Sequence, residues 1–562
     1  MSFSNILVLF GFFLTLPILT KLFSTLRFKR SAGYRHPGTS VRPNPPILPY
    51  WDIFLGHFFH LAWDTRKFVN NTIHIAWQDP VEVKAGFIDF TVVSNPDQIK
   101  RVFRACKQFS NKQLTVVALQ NIFGASKEVG RLFENDETPD LGETKSPHGT
   151  NETDGGQLNE HISGINQYAR KFLSGSHLHS LSRLFLSTLE QNVEAMNIQS
   201  EWVHYPDLYT FLQNIVSPAA TETLMGKKIF EIHPQIVDDF WTFDQAVPSF
   251  VRLFPRWLIR SPYRARDRIF DAFIKLDESA SHHIFRLSPD DPDWEPYLGS
   301  KFLRARHNYA KFIRILPANI KAWEKMGILF AANSNLLPAM FWYILEALKD
   351  KNLHQRMDAE VFSCLSPSDL DVKRNLNKLL EQPLLQSVYA ETLRLRVAIA
   401  LPRTCESGQF DLLGHRIEKG KHIVIFTWPT LQGDSAWIQR GDLAVESLDE
   451  FWPERFLVPK EKGADIKGDE APGSTQYEFS LRGLAGRWMP YGGGQHLCPG
   501  RHLAKRQLIG TFSYLTSHFD FELLNEGREN EVGPDMRWFP TGTLPPDRKV
   551  PFKIRRKLVK ML

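Results

Sequence analysis

Apolar and polar positions follow three regimes along the chain. Residues 3–26, "FSNILVLFGFFLTLPILTKLFSTL", are nearly all apolar, and Lys21, Arg27, Lys29 and Arg30 mark the end of the run. The length matches the ~20 residues of a bilayer-spanning helix, and basic residues on the C-terminal side predict that everything after them stays in the cytosol. A cleaved secretory leader would carry its charge in front and a small-residue site behind, and this segment has neither. Residues 1–30 are therefore read as a transmembrane anchor. Residues 31–56, with Pro37, Pro43, Pro45, Pro46 and Pro49, read as an extended surface hinge.

In the body, residues 57–562, the periodicity turns mostly helical. "PVEVKAGFIDFTVVSNPDQI" sets two β-branched and aromatic runs on either side of Gly86, which predicts a hairpin followed by a helix start near Pro96. "ISGINQYARKFLSGSHLHSLSRLFLSTLEQNV" and "LYTFLQNIVSPAATETLMG" repeat apolar residues at helical spacing, the second ending on Gly226 as a C-cap. "MGILFAANSNLLPAMFWYILEAL", residues 326–348, predicts a long buried helix. Within it Asn333 and Asn335, followed by Pro338, imply a distorted turn, because proline removes a backbone donor. After residue 400 short strands enter, two of them around Gly414 and Gly420 in "FDLLGHRIEKGKHIVIFTW". Two polar stretches, 133–161 and 459–479, read as mobile surface insertions. The fold class is mainly α with a minor β region, preceded by the anchor.

Composition adds exclusions. With 43% hydrophobic and 23% charged positions, the 562 residues suffice for a large core. A net charge of +6 from scattered basic residues gives no footprint for nucleic acid. The four cysteines, 106, 364, 405 and 498, show neither a CxxC pair nor a disulfide framework, in keeping with the cytosol. The glycosylation sequons at Asn70 and Asn151 are accordingly expected to go unused.

Three short motifs carry the candidate chemistry. "YGGGQHLCPGRH", residues 491–502, surrounds Cys498 with glycines and sets Pro499 where it suits the first position of a helix. The loop is either a tight turn holding an inert thiol or a mount for a thiolate. A thiolate is a soft, strongly donating ligand for haem iron, and close glycine backbone and a helix N-terminus both favour it. "YAETLRLR" places Glu391 and Arg394 on one helical face, and "FWPERFL" sets Arg455 in an aromatic segment where a buried guanidinium needs a carboxylate.

Glu-x-x-Arg, then Phe-x-Pro-Glu-Arg-Phe, then a glycine-rich loop ending Cys-x-Gly, in that order, resembles the cytochrome P450 family from the N-terminal anchor to the last helix. The resemblance implies a single-domain P450 fold and haem b with Cys498 as its axial thiolate, in a loop that includes Tyr491, Gly494 and Gly500. It implies haem-propionate contacts from His496 and Arg403, and a structural triad of Glu391, Arg394 and Arg455. Tyr491 stands where the family usually has Phe. The Trp-x-x-x-Arg of a typical early helix is missing, which leaves Arg170 or Lys171 as the further propionate contact. At the family's acid–Thr pair this chain has Asn335–Leu336. That Asn and the Pro-x-x-Phe-Trp after it resemble the branch of sterol 7α- and 12α-hydroxylases, prostacyclin synthase and fungal secondary-metabolite oxidases.

The implied function is a membrane-bound haem-thiolate monooxygenase that inserts oxygen from O2 into a lipophilic substrate, a sterol, terpenoid or polyketide-like molecule, in secondary metabolism. The alternative is an isomerase or dehydratase acting on a peroxide without a reductase. The monooxygenase reading implies an NADPH-cytochrome P450 reductase docking near Arg501, Lys505 and Arg506, and residence in the endoplasmic reticulum membrane as a single-pass protein. Asn335 is the expected catalytic residue. The loop after residue 110, the segment "FPRWLIRSPYRAR" and the helix at 326–348 are expected to line the substrate pocket.

Overall fold

The N-terminal apolar run forms one helix, α1 (Phe3–Gly33), with Pro17 inside it. Near its end Lys21 Nζ donates to Pro49 O at 3.0 Å, and Tyr50 N–H donates to Ser24 Oγ at 3.2 Å. The computed structural model describes residues 3–33, 44–130, 167–312, 318–365, 370–428, 447–460, 477–524 and 531–558, apart from positions 78, 87, 128, 129, 284, 289 and 407. Of the proline-rich hinge, residues 44–56 are described, and they correct the expectation of a free surface connector. Pro45, Pro46 and Leu48 are buried. Leu48 N–H donates to Glu82 O and Glu82 N–H to Pro46 O, both at 2.9 Å. Leu48 has apolar surface to bury, and a proline carbonyl still accepts a bond, so the segment docks on the sheet edge.

The hairpin forms as the sequence predicts, β1 (Val81–Ala85) antiparallel to β2 (Ile88–Val92), followed by α2 (Pro96–Arg104). Asn95 caps α2 by accepting the Asp97 and Gln98 N–H groups, and Pro96 takes the first turn, where its missing donor costs nothing. The body helices are α3 (Gly175–Ala195), α4 (Leu208–Met225), α5 (Ile236–Asp244) and α6 (Arg260–Ala280). Gly226 ends α4 at φ +82°, the left-handed cap expected there.

The helix expected over 326–348 is two: α7 (Ala318–Asn333) and α8 (Leu336–Lys349), with Ser334 and Asn335 between them. The broken turn follows from Pro338, whose nitrogen cannot donate back to Ser334 O. Every residue from Leu336 to Ala347 is buried, so α8 is a core helix apolar on all sides. Trp342 Nε1–H donates to Leu544 O at 2.7 Å and fixes α8 against the C-terminal segment. Among the described residues one helical stretch, Lys321–Lys349, is long and apolar enough to cross a membrane, and it is mostly buried in the body.

After α9 (Pro383–Arg396) come β3 (Val397–Cys405), β4 (Gln409–Leu412), β5 (His415–Glu418) and β6 (His422–Phe426). The "FDLLGHRIEKGKHIVIFTW" segment thus holds three strands rather than two, because Gly414 and Gly420 each close a separate turn. β7 (Leu457–Pro459) pairs antiparallel with β8 (Tyr477–Phe479), so the ends of the expected 459–479 insertion are a sheet; its middle, 461–476, lies outside the described residues, as do all of 133–161 and Asn151. Helix α10 (Arg501–His518) and strand β9 (Thr541–Thr543) follow. The main sheet runs β1-β2-β6-β3-β9, with β6 parallel to β2 and the other pairs antiparallel. It carries Arg403 on β3 and places β9 beside the α7–α8 break.

Candidate functional site

The glycine-rich loop closes on itself where Cys498 N–H donates to Tyr491 O at 3.0 Å, around a short 3₁₀ turn, Gly494–His496. Its glycines answer to α2. A Cβ on Gly493 would lie 2.2 Å from the Phe103 ring, and one on Gly494 would lie 2.5 Å from Phe103 O, at a φ of +67° that disfavours any side chain. The backbone N–H groups that favour the Cys498 thiolate are instead those of Gly500 and Arg501. Helix α10 begins at Arg501 with Gly500 as its N-cap, so Pro499 precedes the helix and is not its first residue. Burial pushes the Cys498 thiol above its ordinary value, while the two N–H groups and the Arg501 charge pull it back. The expected net lowering by the helix N-terminus is thus outweighed by desolvation.

Cys498, His496, Gly500 and Tyr491 all line one cavity of about 580 Å³, within the ~300–1,000 Å³ typical of small-molecule sites. Helices α7 and α8 supply another wall through Gly327, Ile328, Ala331 and Ala339, and the break between them adds Asn335. Thr115 and Leu119 bring in the loop after residue 110 as expected, whereas segment 254–266 contributes no lining residue and instead exposes Phe254, Trp257 and Leu258. That correction has a simple cause, since Arg266 faces Ile122 O and the rings of Phe250 and Tyr263, closing this segment over the loop from outside. Tyr491 does not present its hydroxyl to solvent: it is hydrogen-bonded to the Tyr389 hydroxyl, and burial pushes both phenols far above their ordinary range.

Asn335 sits in the helix break. Thr543 N–H of β9 donates to its Oδ1 at 2.8 Å, which fixes the amide orientation and leaves Nδ2 as the donor available to the cavity. Asn333 serves packing, its Nδ2 donating to Leu329 O at 3.0 Å and Thr221 Oγ1 at 3.3 Å. Nothing in the spacing of residues 335 and 543 signals their contact.

Arg403 is a guanidinium that is 5% exposed. Among the described residues its hydrogen bond goes to the carbonyl of Pro402, at 2.8 Å, and no carboxylate pairs with it. Burial lowers its pKa to about 10. A buried cation with no carboxylate, beside a cavity that displays a thiol, fits an anionic group held in that cavity and coordinated by sulfur. Arg170 NH2 donates to Gln495 O in the glycine-rich loop, and Lys171 lies over the Phe172 ring, 5.2 Å from its centroid. Of the two early-helix candidates, Arg170 is the one that meets the loop.

The triad is assembled. Glu391, at 0% exposure, accepts Arg394 Nε at 2.6 Å, Arg394 NH2 at 2.8 Å, Arg455 Nε at 2.9 Å and Trp452 N–H at 3.0 Å. The guanidiniums then spend further donors on the carbonyls of Ser447, Leu448 and Glu450. Together these bonds tie α9 to segment 447–456. The Trp452 N–H was not foreseeable, since a backbone donor leaves no mark in a sequence.

The expected basic face on α10 is only partly free. Arg501 NH1 donates to Cys498 O at 3.0 Å, Lys505 Nζ to Gln386 Oε1 at 2.6 Å and Arg506 NH2 to Asn377 Oδ1 at 2.8 Å. Burial and the Arg506 charge bring Lys505 down to about 8.

Comparison with known proteins agrees with this geometry. The family model for Cytochrome P450 matches residues 45–548. The chain is 29% identical to Cytochrome P450 monooxygenase efuG of Hormonema carpetanum, over 96% of this chain and 95% of that one. It is 30% identical to Cytochrome P450 monooxygenase fsoE of Humicola fuscoatra, over 94% and 90%. Cholesterol 7-alpha-monooxygenase of Cricetulus griseus is 25% identical, over 70% and 75%. A solved structure, retinoic acid bound cyanobacterial CYP120A1, aligns with a TM-score of 0.60 at 16% identity, covering 92% of this chain and 100% of that one.

Proposed function

The chain belongs to the cytochrome P450 family, whose members bind haem through a cysteine thiolate, and from that premise we propose that it is a membrane-bound monooxygenase that oxidises a C–H bond of a lipophilic sterol, terpenoid or polyketide-like substrate in secondary metabolism. The observation that carries the reading is the shared cavity: Cys498 at the glycine-rich loop and the Asn335 amide at the helix break open onto one mainly apolar chamber.

Haem bound there supplies the activation of O2, with electrons from an NADPH-cytochrome P450 reductase. The chain's own residues do the rest. Cys498 ligates, and the Gly500 and Arg501 N–H groups stabilise its thiolate. Arg403 and His496 would hold the propionates, where a carboxylate relieves the buried Arg403 charge. Asn335, clamped by Thr543, offers Nδ2 to orient oxygen or a water. Leu119, Ile328, Ile399 and Leu401 exclude bulk water and suit an apolar substrate.

An endoplasmic-reticulum anchor with the catalytic body in the cytosol is supported by α1, which exposes Ile18, Leu19, Leu22, Phe23 and Leu26 ahead of a basic flank. The Asn70 sequon lies within helix Thr65–Ala76, with its amide oxygen buried, a poor place for a glycan.

The test is turnover by the purified holoenzyme under ¹⁸O2. Label in the product, dependent on NADPH and reductase, is expected. Product formed from a peroxide alone, without label from O2, would replace this reading with the isomerase or dehydratase.

A further inference from the structure

Helix α7 turns one face to the cavity: Glu324, Gly327, Ile328 and Ala331 line it at helical spacing, and Asn335 in the break continues the row. Glu324 is the one carboxylate among the described lining residues, and no lysine or arginine stands among them. Behind it lies Arg306, on helix Lys301–Phe312, with a side chain that is 1% exposed against 10% for Glu324. Arg306 Nε and NH2 both donate to this carboxylate, NH2 to Oε2 at 3.2 Å, and the guanidinium stands over the Tyr168 ring, 5.8 Å from its centroid. The arginine is thus closed inside the protein while the carboxylate forms part of the wall.

Holding the helices together does not call for charge at this place. The next residue, Lys325, already pins α7 to α6 through Asp277, Nζ to Oδ1 at 2.6 Å, and lines no part of the cavity. Apolar residues of like volume hold such a position as well as a buried ion pair does, or better. A carboxylate has about four acceptor positions, of which the Arg306 fork takes two. Space adjoins it, since a Cβ on Gly327, one turn along the same face, would meet nothing within 4 Å.

We propose that Glu324, oriented by Arg306, is a substrate-recognition site that accepts a hydrogen bond from an alcohol hydroxyl on the otherwise apolar substrate. The proposal deepens the reading of this cavity as the site of a lipophilic molecule and rests on it. Charge selects the class of ligand. Arg306 already supplies the counter-charge, so an ammonium gains little, and a substrate carboxylate would meet the like charge of Glu324 in a wall of low dielectric. A hydroxyl donates to the carboxylate and leaves the pair neutral. Glu324 and Asn335 stand roughly 16 Å apart along the helix axis, at ~1.5 Å per residue. The alcohol end of the molecule is therefore held far from the amide that orients oxygen.

Calorimetric titration of the holoenzyme tests the site with three matched pairs: 1-dodecanol, farnesol and cholestanol, each against its methyl ether, which keeps the oxygen and loses the donor. Wild type should bind at least one alcohol roughly 10–10²-fold more tightly than its ether, the worth of a hydrogen bond to a charged group. Glu324→Gln alone would strand the buried Arg306 charge, so it is combined with Arg306→Met. In that double variant the glutamine keeps the shape of the site, and its NH2 donates to an ether as readily as its oxygen accepts from an alcohol, so the preference should vanish. Haem content checks the variant's fold, and the wild-type ratio decides by itself where haem is lost. Equal affinity within every pair, no binding by any of the alcohols, or a preference that survives in a haem-replete double variant overturns the site. None of these readouts involves turnover. Product from a peroxide without reductase would overturn the monooxygenase reading and leave the alcohol preference standing.

Discussion

Glu391→Gln tests the charged knot that ties α9 to segment 447–456. The substitution preserves shape and removes one charge from a site with 0% exposure. Three guanidinium N–H bonds and the Trp452 N–H converge on this carboxylate at 2.6 to 3.0 Å. A glutamine would turn an NH2 group toward at least one of these donors. Charge-assisted bonds contribute about 1.5–3 kcal/mol each and do not add simply, whereas breaking a buried ion pair by losing one partner costs about 3–5 kcal/mol. The low end applies here, because Arg394 and Arg455 retain the carbonyls of Ser447, Leu448 and Glu450 as acceptors. The expected loss is therefore about 3 kcal/mol, read by urea unfolding of the holoenzyme with circular dichroism and haem absorbance. Segment 447–456 should also become open to protease. In a double-mutant cycle with Arg455→Met the losses should overlap by more than about 1 kcal/mol. A loss under about 1 kcal/mol, or strict additivity with Arg455→Met, would show that no charged hub exists there.

Further outcomes follow from the same geometry. Gly493→Ala should lower haem retention and be partly rescued by Phe103→Ala, since its Cβ meets the Phe103 ring at 2.2 Å; Gly494→Ala should not be rescued, because it meets the Phe103 carbonyl at 2.5 Å. Arg403→Met should stabilise the haem-free protein while weakening haem binding in a dissociation assay: a drop from 12.5 to about 10 implies a burial cost of roughly 3 kcal/mol in the uncompensated state. Burial raises the carboxyl of Asp244, the last residue of α5, to about 7, so it binds its proton more tightly folded than unfolded, and its contribution is complete below pH 4 and is lost as pH rises from 3.8 to about 7. Over that window wild type should lose roughly 4 kcal/mol relative to Asp244→Asn in pH-dependent unfolding, and parallel curves would contradict it.

What could be read from the sequence depended on how local the cause was. The β1–β2 hairpin, the Asn95–Pro96 helix start and the Gly226 cap are set by a few neighbouring residues, and each appears where its signal stands. Glu391, Arg394 and Arg455 were legible at long range because buried charge must be paired, so chemistry substituted for proximity. The Pro338 break was visible because proline has no backbone donor for the helix turn before it. Contacts with backbone partners were not: Thr543 N–H on Asn335, Phe103 against the glycines and Cys498 N–H on Tyr491 O leave no side-chain pattern. Nor did the sequence predict that the "FPRWLIRSPYRAR" segment would face outward or that the prolines at 45 and 46 would be buried, since both depend on how separate elements meet.

Cys498, held in the loop from Tyr491 to Gly500, is proposed as the thiolate that binds the haem iron, and the carbon monoxide difference spectrum of the reduced holoenzyme and of Cys498→His reads that ligation. Wild type should give the long-wavelength band typical of thiolate ligation. Cys498→His should bind haem in the same cavity and show only the shorter-wavelength band of a nitrogen ligand. Persistence of the thiolate band in Cys498→His would place the axial ligand on another cysteine and contradict the assignment.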